Sequence, residues 1–150
     1  SIAEVHQLLY QSKSYSDINF KYYIGEILNN LAKSFDDSSK HITIVKAIND
    51  ISLDVSTAIP LALVVNELVT NAYKHAFKNQ DKGIIELSLI ENNKAVFLKI
   101  RDNGPGFEPE AIVKSSVGLD ILDALVDQID AKLNYSGKNG SSYEISFVKK

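Results

Sequence analysis

The sequence predicts an α+β sandwich. Two segments repeat apolar residues at steps of three and four, as amphipathic helices do, and several shorter ones alternate apolar with polar residues, as half-buried strands do. The strand-like segments come in runs, without a helix after each one. That argues against a regular parallel βα repeat and for an α+β architecture. The chain has 150 residues, 45% hydrophobic and 23% charged, which suits one globular domain with a core of its own.

Taken in order, Ile2, Val5, Leu8 and Leu9 mark the end of a helix, and a polar link covers residues 11–17. Ile18, Phe20, Tyr23, Ile24, Ile27, Leu28, Leu31 and Phe35 then predict a long amphipathic helix. After a polar turn over residues 36–40, a strand is expected over 42–48, with a short hairpin partner over 51–55. Ser56 and Thr57 are helix-start residues, and Pro60 is expected in the first turn of the next helix.

In that helix, over residues 57–77, Leu61, Val65, Leu68, Val69, Ala72 and Ala76 share one face. Glu67, Asn71, Lys74 and Lys78 share the other, since steps of three and four return to the same side. Ile85, Leu87 and Leu89, then Val96, Leu98 and Ile100, alternate on two strands joined by the polar Glu91-Asn92-Asn93-Lys94, an antiparallel hairpin. A Gly/Pro-rich loop covers residues 102–109, a helix 117–128, and two last strands 132–136 and 143–148.

Composition excludes several functions. Lys plus Arg number 16 against 19 Asp plus Glu, a net charge of -3, so there is no electrostatic footprint for nucleic acid and no polybasic membrane patch. Without cysteine there is neither a disulfide framework nor a thiolate zinc site, and His6, His41 and His75 lie too far apart to hold a metal by themselves. No apolar run is expected to approach the roughly 20 residues that span a bilayer, and no signal peptide is visible. The chain opens on Ser1 and contains no methionine, so it reads as a fragment of something longer.

Two common nucleotide motifs are missing: there is no G-x-x-x-x-G-K-[ST] and no G-x-G-x-x-G opening a βα unit. Three other pieces carry chemistry. On the helix, Asn66-Glu67-Leu68-Val69-Thr70-Asn71-Ala72-Tyr73-Lys74-His75 sets a carboxylate, a carboxamide and an ammonium along one stripe. Mg²⁺ takes oxygen ligands and borrows several from substrate phosphates, so one Asn71 oxygen can suffice. Lys74 can neutralise a phosphate oxygen, and Glu67 can accept a proton or orient an attacking group. A solvated helix face would look similar. After a strand, Arg101-Asp102-Asn103-Gly104-Pro105-Gly106-Phe107 offers a carboxylate acceptor for an exocyclic amine and glycines that permit close approach; an ordinary tight loop has the same composition. Ser116-Val117-Gly118-Leu119, at a helix start, offers backbone N–H groups to an anion, or is simply a helix start.

Together, in order and spacing, the three pieces resemble the N, G1 and G2 boxes of the GHKL ATPase superfamily. That resemblance implies the Bergerat fold, a two-layer sandwich with a mixed, mostly antiparallel sheet of about five strands covered on one face by about three helices. It implies ATP and Mg²⁺ as cofactors, with Asn71 as the Mg²⁺ ligand, Glu67 as the catalytic acidic residue and Lys74 as a phosphate contact. Asp102 then matches the adenine-binding aspartate, Gly104 and Gly106 the glycines of D-x-G-x-G, and Ser116, Val117, Gly118 and Leu119 the G-x-G-L element. Ser141, after Gly140, matches the small hydroxyl residue of the last box. Ser116 departs from the pattern by replacing a glycine, which keeps the backbone N–H and gives up some conformational freedom.

The stretch from Phe107 to Gly118 is short for a histidine kinase lid, and resembles that of the HWE and second-type HisKA kinases. Val5-His6-Gln7-Leu8-Leu9-Tyr10-Gln11-Ser12 resembles the join between dimerisation helix and catalytic domain in that subgroup. This implies a division into residues 1–16, the end of the dimerisation helix and a linker, and residues 17–150, the ATP-binding domain. The phosphoacceptor histidine would lie upstream of Ser1. A full-length homodimer, a response regulator partner and a cytoplasmic location follow from the resemblance, with no nucleic acid and no direct membrane contact of this segment. Two alternatives are an anti-sigma-factor serine kinase and a nucleotide-binding regulatory module without catalysis. Tyr73 is expected to pack, and Lys78 and Lys114 to be solvated surface.

Overall fold

The computed structural model describes residues 18–106 and 116–149, with residues 116–119 described by their backbone alone. The expected helix end and polar link before residue 18, and most of the expected lid, lie outside the described residues.

Asn19 caps α1 (Phe20–Ser34) by accepting the N–H of Tyr22 at 3.2 Å, which satisfies a donor the helix itself cannot. Its buried stripe of Phe20, Tyr23, Ile24, Ile27, Leu28 and Leu31 follows the expected period. Ile18, expected to be helical, instead lies in a short strand β1 (Ile18–Asn19), antiparallel to β3 (Ser52–Leu53) with Ile18 opposite Leu53.

That pairing corrects the expected hairpin between residues 42–48 and 51–55. Strand β2 (His41–Ile48) pairs in parallel with β4 (Lys82–Asn92), and Asn49 extends this ladder by donating to the Leu89 carbonyl at 2.8 Å. Burial decides the matter. Ile51 and Leu53 are 1% and 3% exposed where they stand, and burying such side chains is worth roughly 1.5–3 kcal/mol each.

Asp54, not Ser56 or Thr57, caps α2 (Val55–Asn71), its carboxylate accepting the Thr57 N–H at 3.1 Å. The helix therefore begins earlier than expected, and Pro60 falls inside it instead of in the first turn. After Asn71 the helix widens into a π-turn, Ala72–Ala76. The combined helix Val55–Ala76 has 22 residues and is apolar enough to cross a membrane by length and composition. This corrects the expectation that no apolar run approaches bilayer length, since Glu67 and Lys74 are its only formal charges. Half of its most apolar stretch is buried in the domain, where Leu61, Val64, Val65, Leu68 and Val69 make it the core helix.

Strand β5 (Ala95–Asp102) pairs antiparallel with β4 and with β7 (Ser142–Val148), and β6 (Lys132–Ser136) forms the edge next to β7. The sheet order is β2-β4-β5-β7-β6, mixed and mostly antiparallel, as expected. Helix α3 (Ser116–Gln128) packs on α2. Alternation sets Ile85, Leu87, Leu89, Val96, Leu98, Ile100, Ile145 and Phe147 toward the three helices, while Val45, Ile84, Ile90 and Phe97 remain exposed on the other face.

Candidate functional site

The period of β5 delivers Asp102. Val96, Leu98 and Ile100 point inward, and Asp102 is next in that series, so its carboxylate enters the helix side of the sheet. It is 6% exposed, the sole buried polar or charged side chain among the described residues. A carboxylate so buried needs donors. Oδ1 accepts from the backbone N–H of Gly104 at 2.9 Å and of Ser141 at 3.3 Å, while the Asp102 N–H donates to the Ser141 carbonyl at 2.9 Å. Among the described residues no hydrogen bond engages Oδ2.

Glycine is required where the chain folds around this group. A Cβ on Gly140, whose φ is +93°, would stand 2.0 Å from the Asp102 carbonyl oxygen, and one on Gly106, with φ +78°, 1.9 Å from that of Gly137. A Cβ on Gly104 would stand 2.4 Å from the Ala76 carbonyl oxygen, so the loop after β5 abuts the end of the π-turn. Asp102, Gly104, Gly106 and Ser141 thus come together, with Ser141 reaching Asp102 through its backbone. Next to them, the Tyr143 phenol is pushed above its ordinary pKa by burial first, then by the Asp102 carboxylate and by Tyr135, so it is uncharged at neutral pH.

The helix stripe is more open. Glu67 and Asn71 are half-buried, and the Asn71 carboxamide donates to Glu67 Oε1 at 3.4 Å, a long bond. This orientation commits the Asn71 nitrogen to the carboxylate and leaves its oxygen as a potential ligand. Lys74 is exposed on the π-turn, where the wider winding carries it off the α-helical register that links Glu67 to Asn71. Among the described residues it makes no hydrogen bond or ion pair. Tyr73 stacks on Phe35, ring centroids 5.0 Å apart and 7° from parallel, as the packing expectation requires, and burial raises its pKa.

The third motif opens α3, whose backbone begins at Ser116. Ser116, Val117, Gly118 and Leu119 are placed by their backbone alone, and Lys114 lies outside the described residues. Lys78 is exposed.

Sequence reading missed two residues of this neighbourhood. The Asn103 side chain accepts the Ile84 N–H at 2.8 Å and its own N–H donates to the Ile84 carbonyl at 3.1 Å, tying the glycine loop to the start of β4; its place inside a turn motif was the available signal. The Lys40 ammonium donates to the Phe77 carbonyl across 37 residues of sequence, and no local pattern announces it.

The donor set fits a nucleotide with its metal. Among the described residues there is no group of three or more His, Cys, Asp or Glu able to hold a metal ion, so a cation bound at Asn71 would need oxygens from a ligand, as phosphates supply. The buried Asp102 acceptor supplies the other end.

Comparison with known proteins agrees. Residues 37–141 match the family model described as the histidine kinase-like ATPase domain, and residues 1–35 match one described as histidine kinase. The chain is similar to the histidine kinase domain of the Erythrobacter litoralis blue-light activated histidine kinase, with a TM-score of 0.83 and 21% identity over 97% of this chain and 70% of that one. It is also similar to the Acinetobacter baumannii histidine kinase AdeS, at TM-score 0.73 and 18% identity over 99% of this chain and 75% of that one. The anti-sigma F factor of Anoxybacillus flavithermus is 27% identical over 112 residues, 66% of this chain and 76% of that protein. The chain belongs to the histidine kinase-like ATPase domain family.

Proposed function

We propose that this chain is the catalytic domain of a protein-histidine kinase, using Mg²⁺-ATP to phosphorylate an imidazole on a dimerisation domain of the same parent protein. Residues 1–16 are then the end of the dimerisation helix and its linker, and residues 17–150 the ATP-binding domain. In this reading the parent is a homodimer in the cytoplasm, and a response regulator receives the phosphoryl group from the histidine.

The observation that carries the reading is the Asp102 carboxylate, buried at the end of β5 with one oxygen held by two backbone N–H groups. Its second oxygen is the acceptor we assign to the exocyclic amine of adenine. Asn71 supplies the protein oxygen for Mg²⁺, which when bound neutralises phosphate charge. Lys74 and the backbone N–H groups opening α3, from Ser116 to Leu119, contribute positive potential at the phosphates. Glu67, one turn before Asn71, accepts the proton of the attacking imidazole. Gly104 and Gly106 shape the turn beside adenine, and Ser141 fixes Asp102.

The match of residues 1–35 to a histidine kinase model favours histidine as acceptor, whereas the anti-sigma F factor relatives favour a serine on a separate protein. The two acceptors differ chemically. Labelled ATP, the chain and its parent dimerisation domain should yield acid-labile, base-stable phosphohistidine, formed slowly because the acceptor is untethered. Acid-stable phosphoserine on a separate partner would establish the alternative.

A further inference from the structure

The π-turn that ends α2 carries Lys74 and touches the glycine loop, yet its position is set largely from outside. Phe77, which closes it, is 1% exposed, and its ring lies over Gly83 so closely that a Cβ there would stand 2.5 Å from ring carbon Cε1. The Phe77 carbonyl belongs to the negative end of the helix and accepts from the Lys40 ammonium and from the Gln80 N–H at 3.3 Å. Four residues before it, Tyr73 stacks on Phe35. The contacts of Lys40 and Phe35 both come from residues 35–40, the segment joining α1 to β2. On its inner side, the carbonyl of Ala76 meets Gly104, two residues from Asp102.

A π-turn is rare and recurs at functional sites. Here a charged donor meets the last carbonyl, where a cation both satisfies an orphan acceptor and opposes the helix dipole. We propose that Lys40 is a positioning residue of the nucleotide site: its ammonium, bonded to Phe77, holds the π-turn so that Lys74 and the Ala76–Gly104 contact keep their places. Lys40 itself touches no nucleotide. The inference rests on the reading of Asn71, Lys74 and Asp102 as the ATP site, although the clamp itself can be measured without ligand.

The test uses the whole chain with Lys40→Ala and Lys40→Arg. Amide hydrogen exchange without nucleotide reads the clamp directly, and should speed up at Phe77 to Gln80 and at Gly104 in Lys40→Ala while α1 and β5 stay protected. Calorimetry with Mg²⁺-ATP should show roughly a fivefold to tenfold loss of affinity in Lys40→Ala, the scale of an ordinary hydrogen bond because Lys40 acts at one remove from the nucleotide, with Lys40→Arg restoring most of it. Unchanged exchange and unchanged affinity in Lys40→Ala would overturn the proposal. Faster exchange at those amides with no ATP binding even by the unmodified chain would leave the clamp standing and sink the assignment of the site. A uniform loss of protection across the domain, unrescued by arginine, would show Lys40 to be merely structural and would likewise overturn the proposal.

Discussion

The two ends of the site are built differently. At the Asp102 end a buried carboxylate is held by backbone N–H groups from two loops, and the glycines around it leave no room for a side chain. At the Glu67–Lys74 end one long hydrogen bond joins two half-buried side chains, and the lysine stands in solvent. The difference suits the work proposed for each. Adenine is the same before and after transfer, so its acceptor gains from being fixed in advance. The phosphate end must accommodate a moving phosphoryl group and a changing charge, and only interactions that strengthen during transfer accelerate it.

The largest expected effect tests that contrast at the open end. Glu67→Ala should slow phosphoryl transfer by about 10²–10⁴-fold, the usual worth of a positioned base, with Mg²⁺-ATP affinity nearly unchanged. The 3.4 Å bond to Asn71 is too long to matter much for binding. Asn71→Ala should do the converse and weaken Mg²⁺-dependent binding. Single-turnover transfer beside calorimetry measures both, and loss of ATP affinity in a folded Glu67→Ala would erase the contrast.

At the closed end, Asp102→Asn should weaken ATP binding by about 1.5–3 kcal/mol, as for the loss of a bond to a charged acceptor. The carboxamide oxygen can still accept from Gly104 and Ser141, so the fold should survive. Titration with ATP and GTP gives the sharper reading. The unmodified chain should prefer ATP, Asp102→Asn should lose most of that preference, and equal affinities in the unmodified chain would remove adenine from Asp102.

Two glycines separate rigidity from mere glycine content, with smaller effects. Gly140→Ala should lower stability by about 1–3 kcal/mol, because its φ is positive and its Cβ would overlap the Asp102 carbonyl. Gly25→Ala, inside α1 with nothing within 4 Å of the added carbon, should raise stability by about 0.5–1 kcal/mol through helix propensity. Thermal unfolding of both variants reads the signs, and a tolerated Gly140→Ala would mean that the closed end is looser than its geometry.

Periodicity along the chain determined a good deal by itself. The alternation of Val96, Leu98 and Ile100 already points Asp102 inward, and the step of four from Glu67 to Asn71 already makes them neighbours, because both relations follow from local backbone geometry. Strand pairing did not follow in the same way. Residues 51–55 looked like a hairpin partner for β2, and only the competition for burial beneath α1 sent Ser52–Leu53 to β1 instead. The start of α2 at Asp54 and its widening after Asn71 were likewise not legible, since a neighbouring carboxylate outcompeted two plausible hydroxyl caps and the π-turn carries no pattern of its own. The contacts that complete the site join distant segments: Lys40 to Phe77, Asn103 to Ile84, Gly104 to Ala76 and Asp102 to Ser141. Sequence spacing reports which residues share a face of one element, whereas which elements meet is decided by the burial of their apolar faces together, and that sum exists only in the folded chain.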